Sequence, residues 1–209
     1  MSKVTIAGDV NGSGVFTIAA PNGNTNRTLV LPDEAGTVLT TAGVPSSAMP
    51  AGSVLQVVQA AKTDVFSASG ATGSWVDITG LSVSITPTSS SNKVLVFADV
   101  AIGTSSQSTG AQFLRLVRNS TAVYIGDASG LRAQALSGNA LYGSGFYYLQ
   151  SKQGGVYLDS PASSSSITYK LQIGLSVSAT SYVNRNGYDA SRWEDARLAS
   201  SITVMEIAA

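Results

Sequence analysis

Residues 167–175 read Ile167-Thr168-Tyr169-Lys170-Leu171-Gln172-Ile173-Gly174-Leu175, and this stretch decides the fold class. Large apolar side chains occupy every second position, and polar or small residues occupy the positions between them. Successive side chains of a β-strand point to opposite faces of a sheet, so a period of two is typical of a strand with one buried face. The stretch therefore predicts a half-buried strand, apolar inward and polar outward.

The same pattern recurs along the chain. Leu81, Val83 and Ile85 alternate with small polar residues, and further β-prone runs lie at 94–96, 114–117, 123–125, 146–149, 156–158 and 202–207. Clusters of Gly, Ser, Asn or Pro separate these runs, and the serine runs at 89–91 and 163–166 are predicted to be loops. Helical periodicity is nearly missing, with one helical turn predicted at 192–197 after a cap at Ser191. Short strands at this spacing predict an all-β protein with an antiparallel, jelly-roll-like β-sandwich.

The composition excludes several kinds of chemistry. The 209 residues include no histidine and no cysteine, which removes zinc and haem ligation, cysteine nucleophiles and a Ser-His-Asp arrangement. The few carboxylates are scattered and have no neighbouring base or nucleophile pattern. We therefore predict that the protein is not an enzyme and has no catalytic residue, no metal site and no cofactor.

Charge is low and balanced, with 12 basic and 12 acidic residues and 11% charged residues in all. A net charge of zero offers no electrostatic basis for binding nucleic acid or an anionic membrane. The most apolar run, 94–102, is interrupted by Asp99 and is far shorter than the ~20 residues of a membrane helix, so no membrane insertion is predicted. The first residues carry no apolar block typical of a signal peptide, which predicts assembly in a cytoplasm and release by lysis.

A boundary is predicted where periodicity stops. Residues 44–52 contain two prolines and read as a linker between an N-terminal segment, 1–43, and a C-terminal sandwich, 53–209. The N-terminal segment has about four short β-prone runs, at 4–7, 15–19, 27–31 and 37–39. A piece of this size buries too little surface to fold alone without disulfides or metal, so we expect it to associate, for example as three copies around one axis.

One segment concentrates aromatic and amide side chains in a chain that is otherwise poor in aromatic residues. The candidate ligand-binding residues are Tyr182, Asn184, Arg185, Asn186, Tyr188 and Trp193. Flat aromatic faces beside amide and guanidinium donors suit contact with a carbohydrate or a protein. The alternative is that these side chains fill a subunit interface or the end of the sandwich, since oligomer interfaces also select aromatic residues.

Several phrases of the sequence resemble tail-fibre and virion proteins of tailed bacteriophages. In the first half they are residues 14–21, GVFTIAAP, then 28–32, TLVLP, and 36–40, GTVLT. In the second half they are residues 79–87, TGLSVSITP, then 157–161, YLDSP, and 199–207, ASSITVMEI. The first set resembles the repeated phrasing of fibre shafts, and the second is similar to the head domains that follow such shafts.

The resemblance implies a virion protein that forms a homotrimer, with a short N-terminal shaft and an outward-pointing β-sandwich head. It implies attachment through the N-terminal segment to other phage proteins, either of the tail or collar or the major capsid protein. The function it predicts is a fibre or tip protein that contacts a host cell-surface glycan or protein. Because the shaft is short, the alternative is a capsid decoration (cement) or head-fibre protein that stabilises the capsid. A virion-associated polysaccharide depolymerase is the third, disfavoured by the few carboxylates.

Overall fold

The computed structural model describes residues 10–15, 23–24, 26, 28, 44–45, 48–106, 109–175 and 179–209. The chain divides into two units, Met1–Leu39 and Thr40–Ala209, and most of the described residues belong to the second. The N-terminal strands predicted at 4–7, 15–19, 27–31 and 37–39 fall almost wholly outside the described residues. The segment 1–43 and its role in association therefore stay predictions.

The described part of the second unit is built from strands in two antiparallel sheets. The first sheet contains β1 (Val54–Lys62), β2 (Phe66–Ala68), β4 (Lys93–Thr104), β8 (Gln150–Asp159), β10 (Ser181–Val183) and β11 (Ser200–Ile207). The second contains β3 (Trp75–Ile85), β5 (Thr109–Arg118), β6 (Thr121–Val123), β7 (Ser137–Tyr142) and β9 (Ile167–Leu175). The strand that the alternation predicts at 167–175 is β9, and both serine runs lie in loops between strands.

The order of the strands is that of a jelly roll. The long strands run β1-β11-β4-β8 across the first sheet and β3-β9-β5-β7 across the second. They form nested pairs in chain order: β1 with β11, β3 with β9, β4 with β8 and β5 with β7. The short strand β10 continues along the β11 side of β4, where Val183 pairs with Ile102. The predicted all-β, jelly-roll-like sandwich is confirmed.

The core lies between the two sheets and follows the period of two. Along β4 the inward side chains alternate with outward ones, and along β9 every odd-numbered residue from Ile167 to Leu175 is buried. Between Asp77 and Ser82 the register of β3 on β9 shifts by a bulge, where Gly80 has a φ of 90° and both Ile78 and Leu81 turn inward. The bulge lets β3 turn both Ile78 and Leu81 into the core, although a regular strand would place residues three positions apart on opposite faces.

Two buried carboxylates close one end of the sandwich, on either side of Val94 in the same row of the first sheet. Glu206 is fully buried and accepts hydrogen bonds from Gln56 Nε2 at 2.5 Å, from Asn92 Nδ2 at 2.6 Å and from the amide and hydroxyl of Thr88 at 2.6 and 2.8 Å. Burial by itself would raise the pKa of Glu206, but these hydrogen bonds outweigh it and the pKa is lowered. The charge is stabilised by neutral donors alone.

Asp159 is the second of these carboxylates and ties the two sheets together. Arg118 Nη1 lies 2.8 Å from both of its oxygens, and the Tyr169 hydroxyl donates to Oδ2 at 2.6 Å. Burial, together with this hydrogen bond, raises the pKa of Tyr169. Because Arg118 and Tyr169 come from the second sheet and Asp159 from the first, the cluster fixes the spacing of the sheets at this end.

Three local predictions are wrong or only partly met. Of the run predicted at 123–125, only Val123 lies in a strand, at the end of β6. Residues 146–149 are not a strand: Phe146–Tyr148 form a short 3-10 helix that follows Gly145 at a φ of 84°. The helical turn predicted at 192–197 is a single turn in which the Asp195 amide donates to the Arg192 carbonyl at 3.0 Å. Ser191 has a φ of 60° and so lies in the left-handed region, where it cannot act as the predicted helix cap.

Candidate functional site

The predicted site segment follows β10, and its asparagines are structural in this fold. Asn184 is fully buried: its side-chain amide donates to the carbonyls of Lys62 and Asp64 at 2.8 and 2.9 Å, and its carbonyl oxygen accepts from the Ser200 hydroxyl at 2.6 Å. Its φ of 67° is one that asparagine tolerates better than most residues. Asn184 therefore joins the loop to two other segments and presents no group to a ligand.

Asn186 is also buried, and its side chain also forms its hydrogen bonds within the protein. It is 2% exposed, donates from Nδ2 to Asp195 Oδ1 at 2.8 Å and accepts the Asp189 amide on Oδ1 at 2.8 Å. These bonds close the loop between residues 186 and 195 on itself. Both asparagines predicted to bind a ligand thus hold the loop in shape, and the exposed part of the segment includes the aromatic residues Tyr188 and Trp193.

Two glycines let this loop approach the end of β4. A Cβ on Gly103 would lie 2.2 Å from the Arg185 carbonyl oxygen, and a Cβ on Gly187 would lie 2.1 Å from the Thr104 carbonyl oxygen. Only glycine fits at such a backbone crossing. From this position the amides of Gly187 and Tyr188 donate to the Tyr147 carbonyl at 2.7 and 3.0 Å, which brings the 3-10 helix against the loop.

The contact creates an aromatic surface that we call the tyrosine cluster, made of Tyr147, Tyr148 and Tyr188. Ring centroids lie 4.1 Å apart for Tyr147 and Tyr148, 4.9 Å for Tyr148 and Tyr188 and 5.5 Å for Tyr147 and Tyr188. Tyr148 and Tyr188 are both exposed over more than two-fifths of their surface. The sequence places Tyr188 in the candidate site but not the other two, although the adjacent Tyr-Tyr pair was a visible signal.

Of the remaining predicted residues, Trp193 is 98% exposed at the tip of its turn. Arg185 stacks on Tyr182, with its guanidinium carbon 3.8 Å from the ring centroid. Tyr182 itself is half-buried on β10. The structure therefore leaves Tyr188 and Trp193 open to a partner and uses the other four predicted residues mainly in contacts within the protein.

Every cation around the tyrosine cluster has a carboxylate partner. Asp189 pairs with both Arg185 and Arg197, and Asp195 pairs with Arg192 at 3.2 Å. Arg192 also stacks on Tyr188 at 4.6 Å. Hydrogen bonds from Arg197 and then Arg185 lower the pKa of Asp189, and this carboxylate therefore stays charged to unusually low pH. The surface is aromatic and electrically neutral, which suits a neutral saccharide or a protein rather than an anion.

A second exposed apolar surface crosses the outer face of the first sheet. The register aligns Val57, Met205, Leu95 and Leu158 in one row across four strands, and Phe97 lies beside Val156 in the next row. We call these six residues the apolar stripe. Its exposed members include Val57 at 55% and Val156 at 52%. Beyond Phe97 on β4, Asp99 pairs with Lys152 at 2.7 Å, whereas at the other border Lys93, two residues before Leu95, has no described carboxylate partner.

Within the described ranges, no group of three or more acidic side chains is arranged to hold a metal ion. No helix in those ranges is long and apolar enough to cross a membrane.

No protein-family model matches the chain, and no curated protein matches it. Solved structures with a similar arrangement include infectious bursal disease virus, Gt strain, with 14% identity and a TM-score of 0.37 over 74% of this chain and 38% of that chain. The Gx strain of the same virus gives 15% identity and a TM-score of 0.35 over 73% of this chain and 36% of that chain. The crystal structure of its VP2 subviral particle gives 14% identity and a TM-score of 0.33 over 73% and 38%. This chain spans little more than a third of the length of those proteins.

Proposed function

We propose that this protein is a structural component of a virus particle, displayed as a homotrimer on a tailed bacteriophage. The observation that carries the proposal is the apolar stripe. A soluble monomer rarely exposes an apolar patch that is continuous over four strands, and such a patch marks an interface. The phage-like phrases of the sequence and the jelly-roll head support a particle as the place where that interface is used.

The occupant that we propose for the stripe is another copy of the same chain. The six side chains of the stripe are apolar and carry no charge, so three copies of the stripe can converge on a three-fold axis without repulsion between like charges among them. Its neighbours in the second row are Gln59 and Thr203, neutral polar residues that suit the rim of an interface. The tyrosine cluster and Trp193 lie elsewhere on the head, so a host-surface glycan or protein would be contacted by a different surface.

Association is tested by light scattering on the purified full chain at micromolar concentration. The wild-type protein is expected to be a trimer, and Leu158→Lys is expected to shift it to a monomer because it places a charge in the stripe. Val65→Lys is the matched control, since Val65 is an exposed valine in the short connection between β1 and β2. A monomeric wild-type protein, or a trimer unaffected by Leu158→Lys, contradicts the proposed interface.

Host recognition is tested with particles that carry Trp193→Ala. Because Trp193 is almost fully exposed, the head is expected to fold and assemble normally while adsorption to host cells falls. Trp193→Phe keeps an aromatic face and should retain most of the adsorption. Unchanged adsorption by the alanine particles contradicts a host-contact role for this loop. An image of the particle then distinguishes a tail or collar position from a capsid lattice.

A further inference from the structure

A large cavity opens on the outer face of the second sheet. Its volume is about 760 Å³, within the ordinary range for small-molecule sites. The start of β3, the middle of β5 and the end of β9 line it on one side, and the segment 125–134 lines it on the other. We call it the Trp75 cavity after its largest aromatic residue.

Aromatic rings form part of its lining because the strands beneath them carry glycine. A Cβ on Gly174 would lie 2.9 Å from Trp75 Cζ3, and a Cβ on Gly138 would lie 2.4 Å from Phe113 Cδ1. Each ring therefore lies directly on the backbone of a neighbouring strand. Any larger residue at these two positions would push the rings outward into the space of the cavity.

Both guanidinium groups in the lining are held by neutral partners. Arg132 donates from Nη1 to the Ser129 carbonyl at 3.3 Å and to the Ser129 hydroxyl at 3.1 Å. Arg115 donates from Nε and Nη2 to Gln172 Oε1, at 3.0 and 2.5 Å, and its guanidinium carbon lies 4.2 Å from the centroid of Trp75. The nearby Asp77 is already paired with Lys170 at 2.7 Å and accepts Gln172 Nε2 at 2.6 Å. Burial lowers the pKa of Arg115, and Asp77 offsets this only in part. Arg115 is thus oriented without a carboxylate in direct contact.

The basic side chains of the cavity differ from most others on the described surface in having no carboxylate partner. Among the described residues, every Lys and Arg pairs with a described carboxylate except Lys93, Arg115 and Arg132. Two of these three exceptions line this one cavity, and no carboxylate lines it. Asp127 lies within the segment 125–134 but does not itself line the cavity. The cavity therefore combines aromatic side chains with two guanidinium groups that have no carboxylate in direct contact.

We propose that the Trp75 cavity binds an anionic saccharide, a pyranose ring that carries a carboxylate or a phosphate. The apolar part of the lining, which includes Trp75, Phe113 and Leu131, suits the apolar C–H face of a sugar ring. A carboxylate or phosphate would accept charge-assisted hydrogen bonds from the guanidinium N–H groups of Arg115 and Arg132 that Gln172 and Ser129 do not use. The neutral polar side chains in the lining, Thr72, Ser74 and Gln134, suit sugar hydroxyls.

The assignment does not depend on assembly of the particle, so it is tested on the purified full chain. The chain contains two tryptophans, one in the cavity and one on the loop of the tyrosine cluster. Each indole N–H gives one signal in a proton–nitrogen NMR spectrum, and Trp193→Phe identifies which is which. The probes are glucuronate, glucose 6-phosphate, glucose, inorganic phosphate and adenosine monophosphate. Titrations with the first two distinguish a carboxylated from a phosphorylated ligand.

Glucuronate or glucose 6-phosphate is expected to shift the Trp75 signal saturably at millimolar concentration and to leave the Trp193 signal in place. Arg132→Gln should weaken this binding by about three- to tenfold, the loss of one charge-assisted contact. Lys93→Gln is the matched control, because it removes an equally unpaired charge outside the cavity and should leave the affinity unchanged. Added salt should weaken binding to the wild-type protein.

Four results overturn the proposal. The first is a Trp75 signal that neither anionic saccharide shifts. The second is glucose binding as tight as that of the anionic saccharides, which would show that charge has no role in recognition. Equal binding of inorganic phosphate would show an anion site without sugar recognition. Tighter binding of adenosine monophosphate than of either saccharide would assign the cavity to nucleotides. The state of association of the chain affects none of these outcomes, so failure here is distinguishable from failure of the proposed function.

Discussion

The tyrosine cluster and the Trp75 cavity use the same side-chain types in opposite electrostatic settings. Both combine aromatic rings with stacked guanidinium groups, at 4.6 Å for Arg192 on Tyr188 and 4.2 Å for Arg115 on Trp75. At the cluster every guanidinium pairs with a carboxylate, whereas Arg115 in the cavity is held by an amide. The partner of the arginine, rather than the arginine itself, therefore determines whether a surface attracts an anion.

The largest effect is expected away from both regions, from Glu206→Gln. The substitution removes a buried charge and turns one acceptor into a donor that faces either the Gln56 amide or the Thr88 and Asn92 donors, which should cost about 3 kcal/mol of unfolding free energy in urea. Glu194→Gln, at an exposed glutamate, should cost about 0.5 kcal/mol or less. If both tryptophan NMR signals stay in place in folded Glu206→Gln, neither the tyrosine cluster nor the Trp75 cavity depends on the hydrogen bonds around Glu206. If either signal moves, the region that contains that tryptophan is coupled to Glu206.

The pH dependence of the same variant has a defined sign. Because the pKa of Glu206 is lowered in the folded protein, its contribution to stability is fully present above the ordinary pKa and is lost as the pH falls through the lowered folded value. The urea midpoint of the wild-type protein should therefore fall in acid. The urea midpoint should fall less in Glu206→Gln. If it fell equally in both proteins at acid pH, Glu206 would not be the group that loses its stabilising charge there.

Asn184→Ala is expected to disrupt the tyrosine cluster and spare the cavity. It leaves the carbonyls of Lys62 and Asp64 without their donor, which together with the positive φ should cost about 2 kcal/mol. Asn184→Gly removes the same hydrogen bonds without the penalty in φ and should cost less. The Trp193 signal should move in both variants while the Trp75 signal does not. A shift of the Trp75 signal would show that the two regions are not independent.

Gly174→Ala is the corresponding change for the cavity. Its new Cβ would meet Trp75 and Phe113, so the rings must move into the cavity at a cost of about 1–2 kcal/mol. Glucuronate binding should be lost and the tyrosine cluster unchanged. Gly126→Ala is the control, since a Cβ at Gly126 meets nothing within 4 Å. Undiminished glucuronate binding by Gly174→Ala would place the ligand elsewhere.

The smallest effect is expected from Asp189→Asn, which gives the cluster the charge pattern of the cavity. It leaves Arg185 and Arg197 without their carboxylate, while asparagine tolerates the φ of 49° at this position. Weak binding of glucuronate should appear, seen as shifts of the backbone amides of residues 184–197. Asp127→Asn removes an equal charge from the surface and should produce no such shifts. No gained binding would mean that charge pairing does not distinguish the two regions.

Strand identity was predictable where one face of a strand is buried. The alternation at 167–175 predicts β9, because burial of one face imposes the same period of two on sequence and structure alike. At 146–149 the prediction of a strand failed, although aromatic residues favour strands. Gly143 and Gly145, both at positive φ, turn the chain there, and the 3-10 helix is then held by hydrogen bonds to a loop some forty residues away.

The candidate site was predictable only in part. Tyr188 and Trp193 are exposed as expected, but Tyr147 and Tyr148 join Tyr188 through the backbone contact of the Tyr147 carbonyl, which leaves no trace in local sequence. Asparagine as a residue type does not reveal whether its amide is used inside the protein. Asn184 and Asn186 are buried because carbonyl and carboxylate partners from other segments surround them. The Trp75 cavity could not be predicted from local sequence, because its lining comes from four separate segments.

The sequence by itself determined the all-β class, the buried face of β9, the loops at the serine runs and the absence of histidine and cysteine chemistry. These properties follow from composition and from a period of two that one buried face imposes on any strand. Only the tertiary structure decided which arginines are neutralised, which amides are buried and where aromatic rings from different segments meet. Those properties depend on distances between residues that are far apart in the chain, and a linear pattern does not encode such distances.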